Sequence, residues 1–157
     1  ALNKVLIDSK SRRLFFVPDP TEFTIETDKE LQKEAPWHPD NKELGNREET
    51  IFSGSKIYLP NKDLESLDDG SEIRLKNLCN VVMKDSLLIF SGYKHKKGVP
   101  IFQWCSSNQP IEVWYPDGKR VSGIVEDNIV SLDKHVVQFE RTGFVRLEGE
   151  KAFFLHR

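Results

Sequence analysis

Sulfur is scarce in this 157-residue sequence, which has two cysteines, Cys79 and Cys105, and one methionine. The cysteines lie far apart in apolar, strand-like runs, so they build no disulfide framework, and free, buried, reduced thiols are expected. Zinc needs several thiolate or imidazole ligands at close spacing, whereas His38, His95, His135 and His156 are scattered singly, and no metal site is expected. Long apolar runs are missing too. None approaches the roughly 20 residues that cross a bilayer as a helix, and Ala1-Leu2-Asn3-Lys4-Val5 has neither the charged nor the apolar region of a secretion signal, so a soluble protein is expected. An initiator methionine is absent, as suits a piece of a longer chain. Neither charge is in large excess, and the formal net charge is −2. Domains that bind nucleic acid are often basic as a whole, so any such binding here must rest on local patches.

Patches of that kind are present: Lys10-Ser11-Arg12-Arg13, Arg74-Leu75-Lys76, Lys94-His95-Lys96-Lys97 and the pair Arg141 and Arg146. The acids that balance them cluster in residues 22–34 and 43–49. Each patch alone reads more readily as a solvated face. A catalytic constellation is not in view. Asp68-Asp69 and Glu48-Glu49 are paired carboxylates, but they lie in polar, turn-rich stretches with nothing nearby to shift a pKa.

Alternation of polar and apolar residues dominates the pattern beyond Arg12. Strands are expected over residues 14–17, 23–26, 57–59, 72–75, 80–83, 87–90, 101–105, 111–115, 121–125, 136–139, 144–147 and 152–155. They are separated by Gly, Pro, Asn and Asp turns, of which Pro116-Asp117-Gly118-Lys119 is a clear hairpin turn. Many short strands so punctuated make an all-β barrel or sandwich. One short helix is expected over residues 61–67, with Asn61 as cap. Residues 27–47, polar and interrupted by Pro36, Pro39 and Gly45, read as a long irregular connection. Leu2, Val5, Leu6 and Ile7 suit the tail of a helix. Gln138-Phe139-Glu140-Arg141-Thr142-Gly143-Phe144-Val145-Arg146-Leu147 reads as a hairpin with Phe139 and Phe144 or Leu147 inward. That arrangement leaves Gln138, Glu140, Arg141 and Arg146 at the rim. Gln and Arg are the side chains suited to forked hydrogen bonds with base edges.

Four segments in order carry a resemblance. Arg12-Arg13-Leu14-Phe15-Phe16-Val17-Pro18-Asp19-Pro20, His38-Pro39-Asp40-Asn41-Lys42-Glu43-Leu44-Gly45-Asn46-Arg47, Gly70-Ser71-Glu72-Ile73-Arg74-Leu75-Lys76-Asn77 and the 138–147 hairpin resemble the anticodon-binding region of class I glutamyl- and glutaminyl-tRNA synthetases, in its archaeal glutamyl form. The resemblance implies two linked β-barrels. A helical subdomain would end over residues 1–11, a proximal barrel would use about 12–80 and 120–157, and a distal barrel about 81–119. On that plan Arg13 and Gln138 become neighbours. The family's His-x-Gly-His motif and mobile Lys-rich loop, which stabilise ATP phosphates, are absent, and Ser9-Lys10-Ser11 reads as a polar linker. No catalytic residue and no cofactor is expected in this segment, ATP and Mg²⁺ belonging to the parent enzyme.

The resemblance also implies site residues. Arg13, Gln138 and Arg141 match positions around the central anticodon base, a uridine, whose edge offers two acceptors and one donor to Arg and Gln side chains. Arg74 and Lys76 match positions near the first base, and Asn41 matches a loop approaching the anticodon. The alternatives are an ion pair of Arg141 with Glu140 or Glu148, and a surface charge for Arg13. Trp37 and His38 either stack on a base or pin their loop. Where the glutaminyl branch carries basic and amide residues toward the third base, this sequence has Asp63-Leu64-Glu65-Ser66, and carboxylates accept from the cytosine of a glutamate anticodon. The implied function is anticodon recognition within a glutamate-tRNA ligase, with the anticodon stem-loop of glutamate tRNA and the enzyme's own catalytic domain as partners. The setting would be cytoplasmic, with no membrane and no DNA. A glutaminyl or dual-specificity ligase fragment, and a non-enzymatic β-barrel interaction module, are the rival readings.

Overall fold

The computed structural model describes residues 11–106, 109–126 and 132–157. The helical tail expected over residues 1–11 lies, apart from Ser11, outside them. Among the described residues the chain forms fifteen strands. These are β1 (Arg13–Leu14), β2 (Phe16–Pro18), β3 (Pro20–Glu26), β4 (Leu31–Pro36), β5 (Asn46–Ile51), β6 (Lys56–Pro60), β7 (Glu72–Leu75) and β8 (Cys79–Lys84), then β9 (Leu87–Gly92), β10 (Ile101–Phe102), β11 (Gln109–Trp114), β12 (Arg120–Val125), β13 (Val136–Phe139), β14 (Gly143–Glu148) and β15 (Lys151–His156). A four-residue helix α1 (Asn61–Leu64) and a 3-10 turn (Lys42–Leu44) complete the list.

Two sheets curl into barrels. The first runs β1-β13-β14-β15-β11-β12-β2. Its two edges, β1 and β2, are separated in the chain by Phe15 alone, so the sheet nearly closes on itself. The second runs β10-β7-β8-β9-β3-β6. Its open edge is closed where Cys105, three residues past β10, exchanges backbone hydrogen bonds with Tyr58 of β6 at 2.8 and 3.3 Å.

Strand pairing divides the chain differently from the expected 12–80 with 120–157 against 81–119. Early and late strands do share the first barrel, but it takes only residues 13–18 from the start, together with 109–125 and 136–156. The chain leaves it at Asp19, whose positive φ of 43° turns the backbone, and β3 pairs with β6 and β9 of the second barrel. β11 returns to the first barrel because it pairs with β12 across the turn at Gly118 and with β15 on its other side.

Residues 14–17 form the wall between the two interiors. Side chains alternate across a strand, and both faces here are buried. Leu14 and Phe16 enter one core with Val113, Val137, Phe139 and Leu147, while Phe15 and Val17 enter the other with Ile25, Ile73, Leu75 and Trp104. Phe16 stacks on Phe139 at 5.0 Å between ring centroids. Truncating a buried aromatic such as Phe139, fully inaccessible, costs about 3–5 kcal/mol.

The irregular connection expected over residues 27–47 is instead largely a hairpin, β4 paired with β5 from Leu31–Ile51 to Pro36–Asn46. Its inward positions are Leu31, Lys33 and Ala35. Lys33 is 2% exposed, and its ammonium meets the Glu126 carboxylate. An inward lysine hides the alternation, since its countercharge lies far along the chain. The short helix begins where expected but its cap differs. Pro60 occupies the cap position, and the Asn61 side chain accepts from Thr21 Oγ1 and donates to Asp19 Oδ2.

Candidate nucleic-acid interface

The hairpin β13–β14 of the first barrel reaches across to the second. Its turn holds Arg141 at φ 66°, and Gly143 at φ 139° begins β14. A side chain on Gly143 would press against the His156 carbonyl at 2.7 Å, so only glycine lets β14 and the chain end pack this closely. Three contacts clasp the turn. Lys76 Nζ donates to Glu140 Oε2 at 2.7 Å, Gln103 Nε2 donates to the Glu140 carbonyl at 3.0 Å, and Arg141 makes a fork on Asp63 at 2.6 and 3.3 Å. That fork favours the charged guanidinium and pushes its pKa further up.

Arg13 and Gln138 stand at the same register of the parallel β1–β13 pair. Gln138 donates its backbone amide to the Arg12 carbonyl, and among the described residues its side-chain oxygen has no hydrogen-bond partner. The Arg13–Gln138 pair therefore lies on the strand that leads into that turn, and Arg141 and, through Glu140, Lys76 meet at the seam between barrels. Beside them opens a cleft of about 450 Å³, counting the solvent at its mouth. It is floored by Phe16, Pro18 and Pro60 and edged by Lys62, Asp63, Gln103, Glu140, Arg141 and Thr142.

Arg74 is elsewhere. Ile73 and Leu75 are buried, so Arg74 faces out as the alternation requires. Its Nη1 donates to Asn80 Oδ1 at 2.9 Å and to the Tyr93 carbonyl at 3.0 Å. Asn41 caps the 3-10 turn by accepting from the Glu43 amide at 3.2 Å. His38 is 2% exposed and its Nδ1 accepts from the Asp40 amide, which removes it as a stacking surface. Trp37 pins the loop: its carbonyl receives the Arg13 amide at 2.6 Å, and the guanidinium groups of Arg12 and Arg47 lie 5.7 and 4.9 Å from its ring.

Two polar residues that sequence reasoning passed over hold this seam. Gln103, 5% exposed, accepts the Phe16 amide at 3.4 Å while it holds Glu140. A glutamine inside Ile101-Phe102-Gln103-Trp104-Cys105 was the available signal. Glu126, 7% exposed, accepts from the Phe15 amide at 2.7 Å and from Arg47 Nε at 2.7 Å, besides Lys33. Burial pushes its carboxyl up, but the Lys33 and Arg47 charges outweigh that and hold it below the ordinary value. The Cys79 thiol is pushed up to about 12, chiefly by burial, despite the opposing charge of Arg74. Among the described residues no three His, Cys, Asp or Glu side chains gather as a metal would need, and no helix is long and apolar enough to cross a membrane.

A seam between two β-barrels that presents the Arg141 fork and Lys76 beside an open cleft has the form of a binding module. The family model for the anticodon-binding domain of class I tRNA synthetases for glutamate and glutamine matches residues 11–89, and the chain belongs to that family. It is similar over its whole length to proteins named glutamate-tRNA ligase. The one from Methanospirillum hungatei is 37% identical over 100% of this chain, that from Pyrococcus abyssi 35% over 100%, and that from Thermoplasma volcanium 34% over 99%. The chain spans 28–30% of the length of these curated relatives.

Proposed function

We propose that this chain recognises the anticodon stem-loop of glutamate tRNA as part of a glutamate-tRNA ligase whose catalytic domain lies elsewhere in the same protein. ATP and Mg²⁺ serve that domain, and the work is done in the cytoplasm, where translation takes place. The observation that carries the reading is the register pairing of Arg13 with Gln138 on the strand that leads into the Arg141 turn. It offers an unstacked uracil a guanidinium and an amide from adjacent strands, and Arg141 adds a second guanidinium at the turn that follows. Phosphate contacts set register and base contacts set specificity. Lys76 and Arg74 contribute from the second barrel, Lys76 at the seam and Arg74 from the outer face of β7. Asn41 shapes the loop that borders Arg13.

Asp63 supports the glutamate branch. Its carboxylate is at the edge of the cleft and has lone pairs beyond those taken by Arg141, so it can accept from a cytosine amino group. The test is a set of variants titrated with the cognate stem-loop. Arg13→Ala is expected to weaken binding by about 1–3 kcal/mol and to flatten the preference at the central base. A loss of equal size for every loop sequence would argue against base reading.

A further inference from the structure

The β9–β10 connection carries Tyr93-Lys94-His95-Lys96-Lys97 away from the seam, and it is built more firmly than its exposure suggests. Tyr93 is 49% exposed, yet its ring is set edge-on to Phe90 at 5.0 Å, and Lys29 Nζ lies 4.8 and 4.7 Å from the two rings. The backbone beneath it is anchored at two successive residues. The Tyr93 carbonyl accepts from Arg74, and the Lys94 carbonyl accepts from Asn80 Nδ2 at 2.7 Å. Asn80 is itself fully buried and takes Arg74 on its oxygen. Lys96 Nζ reaches Glu72 at 3.1 Å, and Ser91 Oγ donates to the same carboxylate, so the nearest acid is already answered. Among the described residues Lys94, His95 and Lys97 have no carboxylate partner.

We propose that this loop is a second RNA contact, in which Tyr93 stacks on an unpaired base and Lys94 and Lys97 hold the flanking phosphates. The inference rests on the RNA reading above. An aromatic ring set against Phe90 among cations without carboxylate partners is complementary to a strand that offers flat bases and one negative charge per nucleotide. Stacking on such a face is indifferent to base identity. Arg74 and Asn80 then act as positioning residues, because they fix the loop root rather than touch the base.

The experiment replaces each loop nucleotide of the stem-loop in turn with fluorescent 2-aminopurine and titrates the 157-residue chain. One loop position is expected to be quenched on binding. Tyr93→Ala should abolish that quenching and weaken binding roughly tenfold or more, while Tyr93→Phe keeps both. Lys94→Ala with Lys97→Ala should reduce the salt slope by about 1.4, the share of two single-strand phosphates. Unchanged quenching and affinity in Tyr93→Ala, with Arg13→Ala still impaired, would overturn this inference and leave anticodon reading intact. A wild-type chain that binds no stem-loop would overturn both, and preferential binding of an acidic peptide to the same loop would reassign it.

Discussion

Arg141 sits in the left-handed region of backbone space, which most L-residues avoid, and that geometry decides its partner. Turned out of the line of the strand, it reaches Asp63 of α1, 78 residues away in sequence, while Glu140 goes to Lys76 and Glu148 to Arg146. The ion pairs with Glu140 or Glu148 open to it on sequence grounds are therefore not formed, because nearness in sequence is no guide where φ is positive. The Arg141 side chain is 60% exposed and that of Asp63 24%, so solvent screens the pair and it contributes about 1 kcal/mol to stability at most. Arg141→Ala is accordingly expected to leave the melting temperature almost unchanged while RNA binding falls by about 1–3 kcal/mol. Arg141→Lys should recover only part of it, since an ammonium lacks the fork. Cys79 gives a second check at this scale. With its thiol pushed up to about 12 by burial, neither cysteine, both being buried, should react with a thiol reagent at neutral pH before the chain unfolds. A fast reacting equivalent in native protein would contradict the packing described.

Among the elements, those with clean alternation were legible beforehand. β7 and β13 span the residues expected of them because inward Ile73, Leu75, Val137 and Phe139 alternate with polar neighbours. The hairpin β4–β5 was not legible. Only Leu31 and Ala35 mark the inner face of β4, and Lys33 between them is a buried cation whose countercharge, Glu126, is 93 residues distant. That carboxylate ties the hairpin to both barrels by accepting from Lys33, Arg47 and the Phe15 amide. Glu126→Gln is expected to destabilise the fold by about 3–5 kcal/mol, since it leaves buried cations uncompensated, as measured by urea unfolding. The acid dependence follows the same group. A carboxyl held below its ordinary 4.5 in the folded state adds stability that is present above that value and lost as pH falls through the lower folded one. The Glu126→Gln variant should lose this component, so its unfolding midpoint should fall less than wild type's between pH 5 and 3.

For the whole molecule, a net charge of −2 makes bulk attraction to RNA weak, so affinity must come from where the topology puts the cations. Arg13 and Gln138 become neighbours only because the first barrel joins the start of the chain to its end, an adjacency implied by family resemblance and by nothing in local pattern. The boundaries of the two barrels were less legible, because pairing of β11 with β15 depends on residues nearly 40 apart. The measurement that tests the account most directly is a titration of this chain against the glutamate-tRNA anticodon stem-loop and against versions altered at the second and third bases, at two salt concentrations. The account predicts a preference for the cognate bases that survives the higher salt, because base contacts release few counterions. Equal affinity for every version, collapsing together as salt rises, would contradict it.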